Sequence, residues 1–197
     1  MPNNIFIRPA FPADAAALLD IYAPYILRTA VTYEYEIPTE AEFAARIARV
    51  LEQHPYLVAR IGDEAVGYAY ASPMSPRPAY AWAAETSIYV RTDRRRAGVG
   101  RALYQELERA LAAQNIRNLY AAIAWPPTED DPYLTRDSVK FHSRLGYVET
   151  GHFHACGCKF GRWYDLVWME KHIGPHPDDQ PPVLPFPEVK NKLFPEQ

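Results

Sequence analysis

The stretch Glu85–Ala113, ETSIYVRTDRRRAGVGRALYQELERALAA, constrains the fold more than any other part of the chain. Thr86-Ser87-Ile88-Tyr89-Val90 is β-branched and aromatic, which is strand chemistry. A knot of arginine and glycine follows, from Arg94 to Gly100, and then Val99, Leu103, Leu107 and Leu111 recur at helical spacing. The unit is strand, glycine loop, helix. A helix start leaves backbone N–H groups without partners and carries the positive end of the helix dipole. Gly98 and Gly100 let an anion approach that backbone closely, and the arginines add forked donors suited to phosphate. The stretch points to a phosphate or pyrophosphate site, with a solvated turn and basic rim as the plain alternative.

Charge and length narrow the partners. At 197 residues the chain is expected to form one domain with a sizeable core. A net charge of −3 argues against broad binding to nucleic acid or to an anionic membrane. The arginines cluster locally instead, at 91, 94, 95, 96 and 101, as a small anionic ligand requires. No apolar run approaches the ~20 residues that span a bilayer, and no basic region followed by an apolar segment opens the chain. Two cysteines imply no disulfide framework and suit a reducing cytoplasm.

In chain order, Ile5–Pro9 reads as a strand, followed by a helix from about Pro12 with a kink or break near Pro24. Thr39-Glu40-Ala41-Glu42 is a capping box opening a second helix that buries Phe43, Ile47, Val50 and Leu51. Tyr56–Ile61 and Ala65–Ser72 read as a hairpin around Gly62-Asp63-Glu64. Prolines 73, 76 and 78 force a loop before a central strand, Tyr80–Val90. Asn118–Ala124 is almost without polar residues, as in a strand buried on both faces and parallel to its neighbour, reached by a right-handed crossover. A short helix over 136–145 is closed by Gly146, and two long strands follow around Gly161. The proline-rich tail 174–197 is expected as an extended arm without regular structure, beyond a folded domain over 1–173.

The loop is not a Walker loop, because no Gly-Lys-Ser/Thr follows, and not a dinucleotide fingerprint, because only one G-x-G is present. Arg95-x-x-Gly98-x-Gly100 matches the R/Q-x-x-G-x-G/A signature of the GNAT acyltransferases. Together with "HPYLVA", "VGYAYASP", "AYAWAAETSIYV", "FHSRLGYVETG" and "KFGRWYDL", in that order, the chain resembles the phosphinothricin acetyltransferase group of that superfamily from about Ile5 to Ile173. The resemblance implies an α/β (α+β) fold: a mixed, mostly antiparallel sheet of about seven strands flanked by helices, with splayed parallel central strands. It implies acetyl-CoA as cosubstrate, a small-molecule amine as acceptor, and a homodimer.

Candidate catalytic residues are Glu85 and His142. A carboxylate among alanines and aromatics in AYAWAAETSIYV is partly desolvated, which raises its pKa toward useful base strength; the bland reading is an edge glutamate facing water. The resemblance implies that Glu85 takes the amine proton, directly or through water. His142 on its own reads as a structural or exposed histidine; the resemblance gives it a role as general acid to the leaving thiolate, or as an alternative base. It also implies that the pyrophosphate sits on the N–H groups of Arg96, Ala97, Gly98, Val99, Gly100 and Arg101 with Arg95 nearby. The pantetheine arm is expected along Ile88, Tyr89 and Val90, a backbone N–H there polarising the thioester carbonyl, with Asp137, Lys140 and Phe141 alongside. Asp137 departs from the family's usual asparagine, and a carboxylate accepts but cannot donate. Tyr33, Arg77 and Tyr80 match positions lining the acceptor pocket, and Lys159, Trp163 and Asp165 are read as structural or dimer-forming.

His152, His154, Cys156 and Cys158 suggest a metal, yet in a straight strand they span about 20 Å, too far for one ion. At most a neighbouring pair could ligate, and no metal is assigned. The activity expected is acetyl transfer to a phosphinothricin-like amino acid such as methionine sulfoximine or sulfone. The alternatives are acetylation of a protein N-terminus or another metabolite amine, and a non-catalytic acyl-CoA-binding module.

Overall fold

The computed structural model describes residues 4–195. It contains a seven-stranded sheet in the order β1-β2-β3-β4-β5-β7-β6. The strands are β1 (Ile5–Pro9), β2 (Tyr56–Ile61), β3 (Glu64–Pro73), β4 (Ala83–Val90), β5 (Asn118–Trp125), β6 (Val148–Lys159) and β7 (Arg162–His172). Neighbours run antiparallel except β4 and β5, which are parallel. Helices α1 (Ala15–Arg28) and α2 (Glu40–Leu51) cover one face. On the other lie α3 (Val99–Ala113), α4 (Asp137–Arg144) and α5 (Phe186–Leu193).

Period-two alternation sorts each strand between the two cores. Leu57, Ala59, Ala69, Ala71, Leu119, Ala121 and Ile123 face α3, whose stripe Val99, Leu103, Leu107 and Leu111 is fully buried. Tyr56, Val58 and Tyr68 face α1 and α2. The capping box forms as read: the Glu42 N–H donates to Thr39 Oγ1 at 3.2 Å, and the Thr39 N–H donates to the Glu42 carboxylate at 2.7 Å. Strand β5 is buried on its α3 face and only half-buried at Tyr120 and Ala122, so it is less enclosed than its composition suggests.

Three expectations are corrected. Helix α1 runs unbroken through Pro24, because Leu18, Tyr22, Tyr25 and Ile26 hold it against the sheet across the missing hydrogen bond. Strand β4 begins at Ala83 rather than Tyr80, since Pro78–Tyr80 closes a 3₁₀ turn with the Tyr80 N–H donating to the Arg77 carbonyl. The tail is not an extended arm. It contains α5, whose Phe186 and Val189 are buried in the α3 core. Buried Gln114 donates to the carbonyls of Gln53 and Leu184 at 2.7 Å each, and the Trp82 indole donates to the Pro181 carbonyl. Among the described residues no helix is long and apolar enough to cross a membrane.

Candidate active site

The parallel pairing of β4 and β5 ends at Glu85–Tyr120, although β4 continues to Val90 and β5 to Trp125. Beyond that point the strands part, and a cavity opens between them. Its lining includes Thr86, Ser87, Ile88, Tyr89, Ala121 to Ala124 and His142. The Arg91 N–H donates to the Val66 carbonyl, so Arg91 faces β3. Backbone groups alternate direction along a strand, and those of Ile88 and Val90 therefore face the gap. The Val90 carbonyl is taken by the Tyr25 hydroxyl.

The loop after β4 leads into α3 through Gly98, whose φ of 85° lies in the left-handed region that favours glycine. No side chain caps α3, and its first turn holds no acidic residue. Its N-terminus thus keeps the character of an anion site. Gly100 serves a second purpose: a Cβ there would lie 3.0 Å from the Phe141 ring, so its absence lets α4 pack against the start of α3. The arginines divide. Arg91 and Arg94 are held by Glu64, Arg94 at 3.2 Å, and Arg95 lies over the Tyr25 ring at 5.3 Å. Arg96, Ala97 and Arg101 are exposed beside the helix start. The local positive charge available to a ligand is therefore narrower than the count of arginines suggests. Asp137 and Lys140 are exposed on α4, with Phe141 half-buried against α3.

Glu85 is half-buried, and among the described residues no donor or cation pairs with its carboxylate. Desolvation pushes its pKa above the ordinary value. It pairs with Ser72 across β3, and so lies on the same sheet face as Tyr70, Ser87 and Tyr89. His142 approaches from the opposite face and is buried. Its Nδ1 is 2.8 Å from the Ser138 carbonyl, which only accepts, so the proton sits on Nδ1. Its Nε2 then accepts from the Tyr104 hydroxyl at 2.8 Å. Thr86 Oγ1 donates to the Tyr120 carbonyl at 3.0 Å, accepts from Tyr147 at 3.4 Å, and lies 3.2 Å from the Tyr104 hydroxyl as a second acceptor for the proton that His142 Nε2 draws at shorter range. Every hydroxyl proton in this cluster has a destination. Desolvation draws the His142 pKa down to about 4, against the opposing pull of the Ser138 bond. The imidazole is neutral near pH 7, with a lone pair rather than a proton at Nε2.

The expected acceptor residues separate. Arg77 and Tyr80 lie exposed on the turn that leaves β3 just past the Ser72–Glu85 pair. Tyr33 ties the segment between α1 and α2 to β7, donating to the Asp165 carbonyl at 3.0 Å. Lys159 is buried and donates to the Thr32 carbonyl at 2.7 Å, which fits its structural reading. Tyr104 was not among the candidates. Its signal was available, because a tyrosine beside the buried Leu103 of α3 needs a partner for its hydroxyl.

A cleft at splayed parallel strands, an uncapped helix start after β4 and a partly buried carboxylate agree with what the resemblance to the acyl-CoA-dependent transferases implies. The model of the acetyltransferase (GNAT) domain matches residues 7–168. The chain is 35% identical over 184 residues to a phosphinothricin N-acetyltransferase of Streptomyces viridochromogenes, covering 93% of this chain and 95% of that protein. It is 33% identical over 171 residues to an L-methionine sulfoximine/L-methionine sulfone acetyltransferase of Pseudomonas paraeruginosa, covering 86% and 95%. A crystal structure of a GNAT superfamily phosphinothricin acetyltransferase from Sinorhizobium meliloti, in complex with AcCoA, superposes with a TM-score of 0.80 at 32% identity, covering 94% of this chain and 99% of that one. The chain belongs to the GNAT acetyltransferase family.

Proposed function

We propose that this protein transfers the acetyl group of acetyl-CoA to the primary amine of a small amino-acid-like acceptor, of the phosphinothricin or methionine sulfoximine/sulfone type, by direct attack in a ternary complex. The observation that carries this reading is Glu85, a desolvated carboxylate without a partner among the described residues, standing where β4 and β5 part. Acetyl-CoA supplies a thioester, whose carbonyl carbon is the electrophile. The α3 start with Gly98, Val99, Gly100 and Arg101 suits its pyrophosphate, and Arg95 and Arg96 border the same loop. The gap-facing backbone of Ile88 and Val90 suits the pantetheine arm, as an added strand does at a sheet edge.

Glu85 takes one proton from the ammonium form of the acceptor and releases it to water. The free amine then forms the C–N bond as the C–S bond breaks, and the second N–H proton goes to the leaving thiolate. Holding amine and thioester together contributes much of the acceleration. Neither role suggested for His142 is favoured by its bonds, because Nε2 bears no proton to give, and its lone pair is taken by the Tyr104 hydroxyl. Arg77 suits a carboxylate or phosphinate by its forked donors, with Tyr80 on the same turn, whereas Tyr33 is held at β7. Amine attack on a thioester calls for no metal.

Phe153, Phe160 and Trp163 are exposed on the β6–β7 hairpin, which supports a homodimer through that surface. Free Cys156 and Cys158 support a cytoplasmic setting. A thiol-release assay with an amine panel tests the activity. Turnover with the sulfoximine, sulfone or phosphinothricin acceptors supports it. Turnover confined to peptide N-termini, or none with acetyl-CoA bound, overturns it. Sedimentation velocity of wild type against Trp163→Asp tests the dimer.

A further inference from the structure

The metal expectation from sequence assumed a straight strand, and β6 is not straight. Between the pairs Phe153–Leu166 and Gly157–Tyr164, three residues of β6 stand opposite the single residue Asp165 of β7. Ala155 in this bulge has a φ of 47°. The bend folds the chain over Asp165, so that neighbouring histidines that would stretch along an extended strand instead turn inward. The rings of His152 and His154 stack with centroids 4.6 Å apart. His152 Nε2 lies 2.9 Å from Asp165 Oδ2, and His154 Nδ1 lies 3.2 Å from the same oxygen.

We propose that His152, His154 and Asp165 form a binding site for a divalent late first-row transition metal ion, Zn²⁺ being the cellular candidate, separate from the transfer chemistry. The three ligand atoms lie within 4.8 Å of one another. Tetrahedral zinc with bonds of about 2.0–2.2 Å sets its ligand atoms roughly 3.3 Å apart, so side-chain adjustments within this cluster suffice. Two imidazole nitrogens and a carboxylate oxygen suit zinc, copper or nickel rather than magnesium or calcium.

The surroundings match what orients such ligands elsewhere. A ligating histidine commonly aims its second nitrogen at a carboxylate, and ligating carboxylates are themselves hydrogen-bonded. His152 Nδ1 lies 3.6 Å from Glu149 Oε1, and Asp165 Oδ1 accepts the Ala155 N–H at 2.8 Å. The His152 ring also packs edge-on against Trp125. His154, with 79% of its side chain exposed, leaves an entry path and room for water as a fourth ligand. Binding at this point fastens the bulge of β6 to β7, beside the Asp165 carbonyl that holds Tyr33.

The test uses the full chain, stripped with a chelator, desalted, and titrated with ZnCl₂ by calorimetry and thermal unfolding. The expected result is one Zn²⁺ per chain with a raised Tm. His154→Ala should unfold at the wild-type temperature without metal, because its side chain is exposed. It should lose at least about tenfold in zinc affinity, as should His152→Gln. His176→Ala, whose imidazole pairs with the Asn118 side chain at the start of β5, should bind as wild type. No zinc binding by wild type overturns the proposal. So does wild-type affinity in His154→Ala, or loss of binding in Cys156→Ser while His154→Ala retains it, since either places the ion elsewhere.

Discussion

Two consecutive residues of β4 face opposite sides of the sheet and illustrate opposite ways of setting a proton. On the α1/α2 side, Glu85 is partly desolvated and has no partner among the described residues. On the α3/α4 side, Thr86 joins Tyr104, Tyr147 and His142 in a cluster where each donor is matched to an acceptor. The first arrangement leaves a group free to gain and lose a proton. The second fixes one protonation state and makes any change costly. Burial alone does not separate them, because both groups are shifted by desolvation. What separates them is whether hydrogen bonds hold the neutral or charged form in place.

The largest expected effect falls on the free side. Glu85→Gln should lower kcat by roughly 10²–10⁴-fold while leaving the Kd for acetyl-CoA unchanged. In wild type, kcat/KM should fall as pH drops through a pKa above the ordinary carboxylate value, and that limb should vanish in the variant. Undiminished turnover by the glutamine variant across the pH range would show that the unpaired carboxylate is not the base, and the contrast between the two faces would lose its functional meaning.

The locked side should appear in stability before it appears in rate. The His142 pKa is about 4 in the fold against an ordinary 6.5. Between these values the unfolded chain binds the extra proton and the native state does not. Stability therefore rises with pH across this window and is lost as pH falls from about 6.5 toward 4. The full window is worth about 3 kcal/mol at ~1.4 kcal/mol per unit. Urea unfolding at pH 7.5 and 4.5 measures it, and His142→Gln should remove most of this pH dependence. An unchanged slope in that variant would mean that other groups set it.

A related prediction asks how α4 is held beside the glycine loop. Gly100→Ala places a methyl group 3.0 Å from the Phe141 ring. It should cost about 1–3 kcal/mol and weaken acetyl-CoA binding. Gly100→Ala with Phe141→Leu should recover part of the stability. Full tolerance of the single change would show that Gly100 is dispensable to the packing of α4 on α3.

Much of this architecture was legible because it rests on local rules. The Thr39–Glu42 capping box, the Gly98 left-handed turn and the α3 stripe each follow from a few adjacent residues. The strand position of Glu85 and the Arg95–Gly100 turn into α3 were legible as one strand–loop–helix unit, while the roles expected of them came from the resemblance. What escaped depends on distant partners. Helix α5 forms because Phe186 finds the α3 core and Gln114 holds Leu184 across 70 residues, neither of which proline content reveals. The approach of His152 and His154 to Asp165 depends on a bulge that counting residues along a straight strand cannot anticipate. Tyr33 matched an acceptor position by resemblance, yet its hydroxyl is committed to the Asp165 carbonyl.

The smallest effect gives the sharpest reading of the locked face. The Tyr104 hydroxyl donates to Nε2 of neutral His142, a bond that the protonated imidazole could not accept. Tyr104→Phe removes it with little change in shape, while Thr86 keeps Tyr147 as a donor. The cost should be about 0.5–1.5 kcal/mol at neutral pH. Because the lost bond favoured the neutral ring, the His142 pKa should rise, and the acid-sensitive range of stability should begin to close from its lower end. Imidazole titration by NMR in wild type and Tyr104→Phe reads this directly. A pKa that moves down would mean that Nε2 carries the proton and donates to Tyr104, which would return His142 to the role of acid; one that stays in place would mean that the Tyr104 proton goes to Thr86 Oγ1 instead.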